Sequence, residues 1–146
     1  MENNQVLYRM AVEIATNAHK GQKDKGGNPY INHPLKVAEG LEEMEMKIVA
    51  VLHDVLEDSD MRAEELLEKG FPEKLVEAIC VLTHKKGDPD SYEEYIRKVK
   101  QNPIARKVKI EDIKHNLDLS RIPNPVPGDF KRCEKYKKAL RYLKEK

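Results

Sequence analysis

The sequence predicts an all-α fold in a single domain of about seven or eight helices, and three observations lead there. Apolar residues recur at three- and four-residue spacings along nearly the whole chain. Glycine, proline and capping residues punctuate those stretches at intervals suited to short helices. No two neighbouring segments show the strict apolar/polar alternation of a β-hairpin. At 146 residues the chain is long enough to bury a core without cross-links, and residues 1–146 read as one unit without an internal repeat.

Val6, Leu7, Met10, Ile14 and Ala18 form the apolar stripe of a first helix that runs to His19 and stops at Gly21. Residues 21–32 contain three glycines and a proline and read as a loop, made cationic by Lys20, Lys23 and Lys25. His33-Pro34 opens a second helix, with proline in its first turn and Leu35, Val37, Ala38 and Leu41 inward. Met46–Val55 is apolar on most of its surface, as expected of a central helix. Ser59–Lys69 is a short amphipathic helix closed by Gly70. Phe71-Pro72 begins another, with Leu75, Val76, Ile79, Cys80 and Leu82 inward, which runs to Thr83. After a polar loop over 84–90, Ser91 caps the next helix and Glu94 completes a capping box. Asn102-Pro103 interrupts the chain before a helix over Ile104–Leu119. Three prolines within 122–128 exclude a helix interior there. The last helix, Asp129–Leu143, places Phe130, Cys133, Tyr136, Leu140 and Leu143 on one side and many lysines on the other.

Charged residues make up 36% of the chain but cancel to a formal +1, so no general attraction to nucleic acid or an anionic membrane is expected. Any affinity for phosphate must be local. Cys80 and Cys133 form neither a disulfide framework nor a CxxC motif, and read as a small apolar residue and a solvent-side thiol. No apolar stretch approaches a membrane span and Met1–Gln5 is not a signal peptide, so a cytoplasmic protein is expected. Nothing in the sequence specifies an oligomeric state.

Five polar residues sit oddly on otherwise apolar helices: His33, His53, Asp54, Asp112 and Asn116. An apolar run that ends in His53-Asp54 needs partners for both groups once water is removed, and a divalent metal would supply one. His33 stands at a loop-to-helix junction, where a ligand can point into a cavity. His53 and Asp54 diverge by roughly 100° on a continuous helix, so they meet one metal only at the helix edge. Asp112 and Asn116, four residues apart, share a face. Two histidines and two aspartates leave positions open for water and a phosphate oxygen. Taken singly, a histidine or aspartate in such a place is more often a cap, an ion pair or a satisfied polar group than a ligand, and His19, His84 and His115 carry no stronger signal.

Jointly, Ala18-His19-Lys20-Gly21-Gln22, Pro29-Tyr30-Ile31-Asn32-His33-Pro34, His53-Asp54-Val55-Leu56-Glu57-Asp58 and Asp112-Ile113-Lys114-His115-Asn116-Leu117 resemble the HD-domain hydrolases of the RelA/SpoT type, including small stand-alone alarmone hydrolases. The motifs keep the family's order over residues 18–117, and the resemblance is to the hydrolase half, without a synthetase or regulatory domain. It implies an HD-type helical bundle and metal ligands at His33, His53, Asp54 and Asp112, with Mn²⁺ as the cofactor or another divalent transition metal in its place. It places the acidic catalytic pair at Glu57 and Asp58. Glu57 would orient or deprotonate water, and Asp58 would assist or hold its neighbours. It assigns Asn116 and Lys25 to the nucleotide, with Lys23 adding positive charge by position. The implied activity is removal of the 3′-pyrophosphate of (p)ppGpp.

One departure stands out. Asp24 occupies the position of a family arginine whose planar cation packs on guanine, and aspartate neither stacks that way nor attracts phosphate. Another nucleotide, such as NADPH with its 2′-phosphate, therefore stays open as substrate. A non-catalytic nucleotide-binding HD domain is a third reading, against which the intact Glu57-Asp58 pair argues.

Overall fold

The amphipathic stretches form helices in the computed structural model, which describes residues 3–85, 87–118, 122 and 124–145. In chain order these are α1 (Asn4–Ala18), α2 (Asn32–Glu39), α3 (Met44–Leu52), α4 (Val55–Asp58), α5 (Ala63–Glu68), α6 (Glu73–Leu82), α7 (Tyr92–Gln101), α8 (Pro103–Asn116) and α9 (Pro127–Lys144). Among the described residues there is no strand, only an isolated bridge between Lys23 and Pro29. The architecture is all-α, as predicted.

Helix α3 is the hub. Ile48, Val49, Ala50, Val51 and Leu52 are fully buried, because α1, α2, α6 and α8 all pack around it. A helix apolar on every side is stable only when every side is covered. The outer helices present one apolar stripe each: Leu7, Ala11 and Ala15 from α1, Leu75 and Ile79 from α6, Val108 and Ile113 from α8.

The predicted third helix is broken, and the break matters for the site. The Ala50 carbonyl, which would accept the Asp54 N–H in a continuous helix, is taken by His53 instead: the backbone N–H at 3.4 Å and the ring Nδ1–H at 2.5 Å. His53 (φ −61°, ψ −28°) and Asp54 (φ −102°, ψ −3°) then follow the geometry of a type I turn, and α4 starts afresh at Val55. Ser59 closes α4 rather than opening α5, because its Oγ bonds back to the Val55 carbonyl at 2.6 Å.

Ser91 caps α7 as expected, and Asn102, read from the sequence only as a break before Pro103, caps α8. Ser91 Oγ accepts from the Glu94 N–H at 3.1 Å, and Asn102 Oδ1 accepts from Ile104 and Ala105 at the start of α8. The predicted end of α8 at Leu119 lies outside the described residues.

Two residues expected inward are not. Cys80 is exposed at the end of α6, whereas Cys133 is the buried thiol. Phe130 is 54% exposed because its neighbour Asp129 takes the inward position, accepting the Val126 N–H at 2.8 Å. Consecutive helical residues point about 100° apart, so Asp129 inward turns Phe130 outward. No helix among the described residues is long and apolar enough to cross a membrane.

Candidate metal centre and adjoining cavity

Three helices deliver the central side chains. His33 comes from the first turn of α2, His53 from the turn that ends α3, and Asp112 from the middle of α8. All three are buried, and one ligand atom from each lies within 4.8 Å of the other two. His33 Nε2 is 2.6 Å from Asp112 Oδ1, and His53 Nε2 is 3.4 Å from the same oxygen. Asp54 Oδ2 stands 3.1 Å from His53 Nε2. The helix break makes that approach possible between adjacent residues. Asp54 falls outside the mutually close trio and is held from the far side by the Tyr30 hydroxyl, which donates to its Oδ2 at 2.5 Å.

The donors suit a divalent transition metal. His53 commits its Nδ1–H to a backbone carbonyl, which leaves Nε2 as the bare nitrogen of the neutral ring. That nitrogen is buried beside two carboxylates yet has no hydrogen-bond partner. A lone pair facing carboxylate oxygens is repulsive unless a cation lies among them. His33 repeats the pattern, since its Nδ1 is 2.6 Å from Nδ1 of His115, with the rings stacked at 4.9 Å. If His33 binds metal through Nε2, its Nδ1 must carry the proton, and His115 is placed to accept it.

The charges point the same way. Burial opposes a charge on His53, but Asp54 and Asp112 outweigh it and raise the imidazole pKa well above its usual range, so that without a metal a proton takes the place at Nε2 that the metal would fill. Burial likewise opposes ionisation of Asp112, yet the Lys109 ammonium and the two histidines hold the carboxyl well below its usual range. Lys109 Nζ contacts Asp112 Oδ2 at 2.9 Å. The site is built to keep two carboxylates ionised away from water, which requires positive charge between them.

Glu57 and Asp58 lie on the solvent-open side of this cluster. Glu57 Oε1 accepts the His84 N–H at 2.9 Å, which fixes one oxygen and leaves the other for water. Partial burial raises the pKa of both acids, and the negative charge of Asp54 adds to it. The Asp58 carbonyl accepts Gln22 Nε2 at 3.2 Å and so ties the loop after α1 to α4.

A cavity of about 340 Å³ opens beside the trio, and its lining includes His33, Tyr30 and Asn116 together with Lys23, Lys25 and Arg132. Asn116 Nδ2 donates to Asp112 Oδ1 at 3.3 Å, so it belongs to both metal site and cavity. Lys25 Nζ reaches Asp129 Oδ1 at 3.2 Å. Asp24 turns its carboxylate into its own loop, where Oδ1 accepts the N–H groups of Gly26 at 2.9 Å and Asn28 at 3.0 Å. Gly27 permits this turn with φ +83°, a conformation side chains resist.

Tyr30, Lys109, His115, Asp129 and Arg132 were not singled out by sequence reasoning. The Lys109–Asp112 spacing of three residues was a readable ion-pair signal. Arg132 was hidden among the lysines of α9.

The HD domain family model matches residues 11–114. The chain belongs to the HD domain family. It is 38% identical over 117 residues to the guanosine-3′,5′-bis(diphosphate) 3′-pyrophosphohydrolase of Aquifex aeolicus (strain VF5), covering 73% of this chain and 17% of that protein. It is 34% identical over 124 residues to the bifunctional (p)ppGpp synthase/hydrolase SpoT of Escherichia coli (strain K12), covering 75% of this chain and again 17% of the relative. The HD domain described here thus spans about one sixth of these relatives' length. Its fold matches a solved structure described as a metazoan ortholog of SpoT that hydrolyses ppGpp, with a TM-score of 0.78 over 94% of this chain and 85% of that one. At 22% identity that likeness shows the shared fold.

Proposed function

We propose that this HD domain is a metal-dependent phosphohydrolase that removes the 3′-pyrophosphate of guanosine tetra- or pentaphosphate. The observation that carries the reading is the buried, unpartnered Nε2 of His53, set among His33, Asp54 and Asp112 beside a cationic cavity. The relatives' names supply the substrate class.

In this reading His33, His53, Asp54 and Asp112 hold the metal, Mn²⁺ or another divalent transition metal that accepts both imidazole and carboxylate donors. The cation supplies the charge that polarises a phosphoryl oxygen and makes water more acidic. Tyr30 and Lys109 orient Asp54 and Asp112 from behind. Glu57 takes the proton of the attacking water, one oxygen being anchored by the His84 N–H. Asp58, beside it, assists in placing water and fastens the loop of Gln22. Asn116 bonds the ribose, while Lys25 and Lys23 draw the phosphates into the cavity.

A second reading, cleavage of the 2′-phosphate of NADPH, is favoured by one feature. The loop over 22–28 contains no arginine to offer a guanine base, and Asp24 accepts hydrogen bonds within its own turn. Incubation of the purified protein with Mn²⁺ and each nucleotide separates the two. Pyrophosphate released from guanosine tetraphosphate is the expected product. Orthophosphate from NADPH alone would transfer the assignment to the monoester, and turnover of neither would overturn the enzymatic reading.

A further inference from the structure

We propose that the cavity between α7 and α9 is a second binding site, one for a single-ring aromatic carboxylate. The site is independent of the phosphohydrolase reading. It has a volume of about 220 Å³ and shares no lining residue with the cavity beside the metal centre. Tyr92, Ile96 and Arg97 of α7 line it from one side, and Lys135, Ala139 and Tyr142 of α9 from the other. Ile96 and Ala139 are buried and supply its apolar part, where the small side chain of Ala139 leaves room.

Rings and cations define the ligand. The Tyr92 hydroxyl is buried, so the part of Tyr92 open to the cavity is its ring. Tyr142 adds a second ring, and aromatic faces favour an aromatic guest. Lys135 Nζ is held 4.2 Å from the centre of the Tyr92 ring. Neither Lys135 nor Arg97 has a carboxylate within ion-pair distance among the described residues. Burial and the nearby charges of Lys109 and Arg132 lower the Lys135 pKa, the mark of an ammonium short of negative charge. Glu93, the one acid among the described lining residues, pairs with Lys138 at 3.8 Å in the open, where such a pair is weak. Two cations thus stand uncompensated beside an apolar space, and a guanidinium takes a carboxylate through two parallel hydrogen bonds. The volume sets the size of the guest. About 220 Å³ falls below the roughly 300 Å³ at which pockets for drug-sized ligands begin, so one ring fits and a nucleotide does not.

The test titrates the purified native chain with benzoate as the probe, followed by protein NMR, and needs no turnover. Benzoate is expected to bind saturably. Benzamide, which lacks the charge, and acetate, which lacks the ring, should each bind about tenfold more weakly or worse. Lys135→Met should weaken benzoate about tenfold, the worth of one charge-assisted contact, and leave benzamide unmoved. Ala139→Leu fills the space and should abolish binding, while Arg132→Ala, outside the lining, should not change it. Shifts that do not saturate, acetate as strong as benzoate, or full binding by both the Lys135 and Ala139 variants would overturn the proposal. So would loss of binding in Arg132→Ala alone, which would place the anion beside the metal centre. A melting curve identifies a variant that fails to fold, and Lys135→Met, at an exposed position, keeps the test decisive if Ala139→Leu does so.

Discussion

His53 Nε2 lies 3.4 Å from Asp112 Oδ1 where α3 meets α8, buried and with no hydrogen bond between them. Two groups so close, so well shielded and yet unbonded are explained by a cation that both would ligate. Purified native protein is therefore expected to carry about one equivalent of a divalent transition metal, the stoichiometry of a single site with a few protein ligands. His53→Ala and Asp112→Asn should each lose it by elemental analysis. Chelation should lower the melting temperature of the native chain, since a ligand bound only by the folded state stabilises it. A metal-free native protein whose melting is indifferent to added Mn²⁺ would exclude the assignment.

Glu57 is the proposed proton acceptor, and its replacement tests chemistry apart from binding. Glu57→Gln keeps the hydrogen bond from His84 but cannot take a proton. It is expected to lower kcat by about 10²- to 10⁴-fold, the usual worth of a general base, with metal content unchanged and KM altered little. Unchanged turnover would remove Glu57 from the mechanism.

Lys109 is buried against Asp112 and lies 5.3 Å above the Tyr95 ring. Lys109→Met keeps the bulk and strips the charge, leaving Asp112 ionised with its main cation gone. Unfolding by urea of the metal-free protein should show a loss of about 3 kcal/mol, as for a broken buried ion pair. Saturation with metal should reduce that loss. Equal stability of variant and native chains would show that the histidines alone compensate Asp112.

Tyr95 links stability to high pH. Its hydroxyl donates to the Leu82 carbonyl at 2.6 Å, and burial raises its pKa from 10.0 to about 12. The folded state holds this proton more tightly than the unfolded chain. The corresponding stability is complete below about pH 10 and is lost as pH rises towards 12. Tyr95→Phe should flatten that alkaline fall and cost about 1 kcal/mol at neutral pH, the worth of one hydrogen bond. An unchanged alkaline slope in the variant would place the titration elsewhere.

Much of this was legible because it is local. The Ser91 cap of α7 and the all-round apolar character of α3 depend on neighbours a few residues away and appear as predicted, whereas α1 buries Leu7, Ala11 and Ala15 and leaves Val6, Met10, Ile14 and Ala18 of the expected stripe only partly covered. The errors were apolar or capping patterns overruled by hydrogen bonds and ion pairs that periodicity does not report. Ser59 looked like a helix start but bonds backward to Val55. Phe130 looked inward by spacing, but Asp129 is held inside by Lys25, more than a hundred residues earlier.

By itself, the sequence determined the all-α class and the central helix, and it marked His33, His53, Asp54 and Asp112 as polar residues set oddly on apolar helices. Those follow from hydrophobic periodicity and from the cost of leaving polar groups unpaired in a core. Only the tertiary structure decided how they meet. It ended the third helix at His53, with Asp54 Oδ2 3.1 Å from His53 Nε2, and it brought His33 within 2.6 Å of Asp112 across 79 residues of chain. It also set Arg132 opposite Lys25 around one buried carboxylate. The physical reason is that spacing along a chain fixes only which face of a helix a residue occupies. Which faces share a cavity depends on packing around α3, to which residues distant in sequence contribute together.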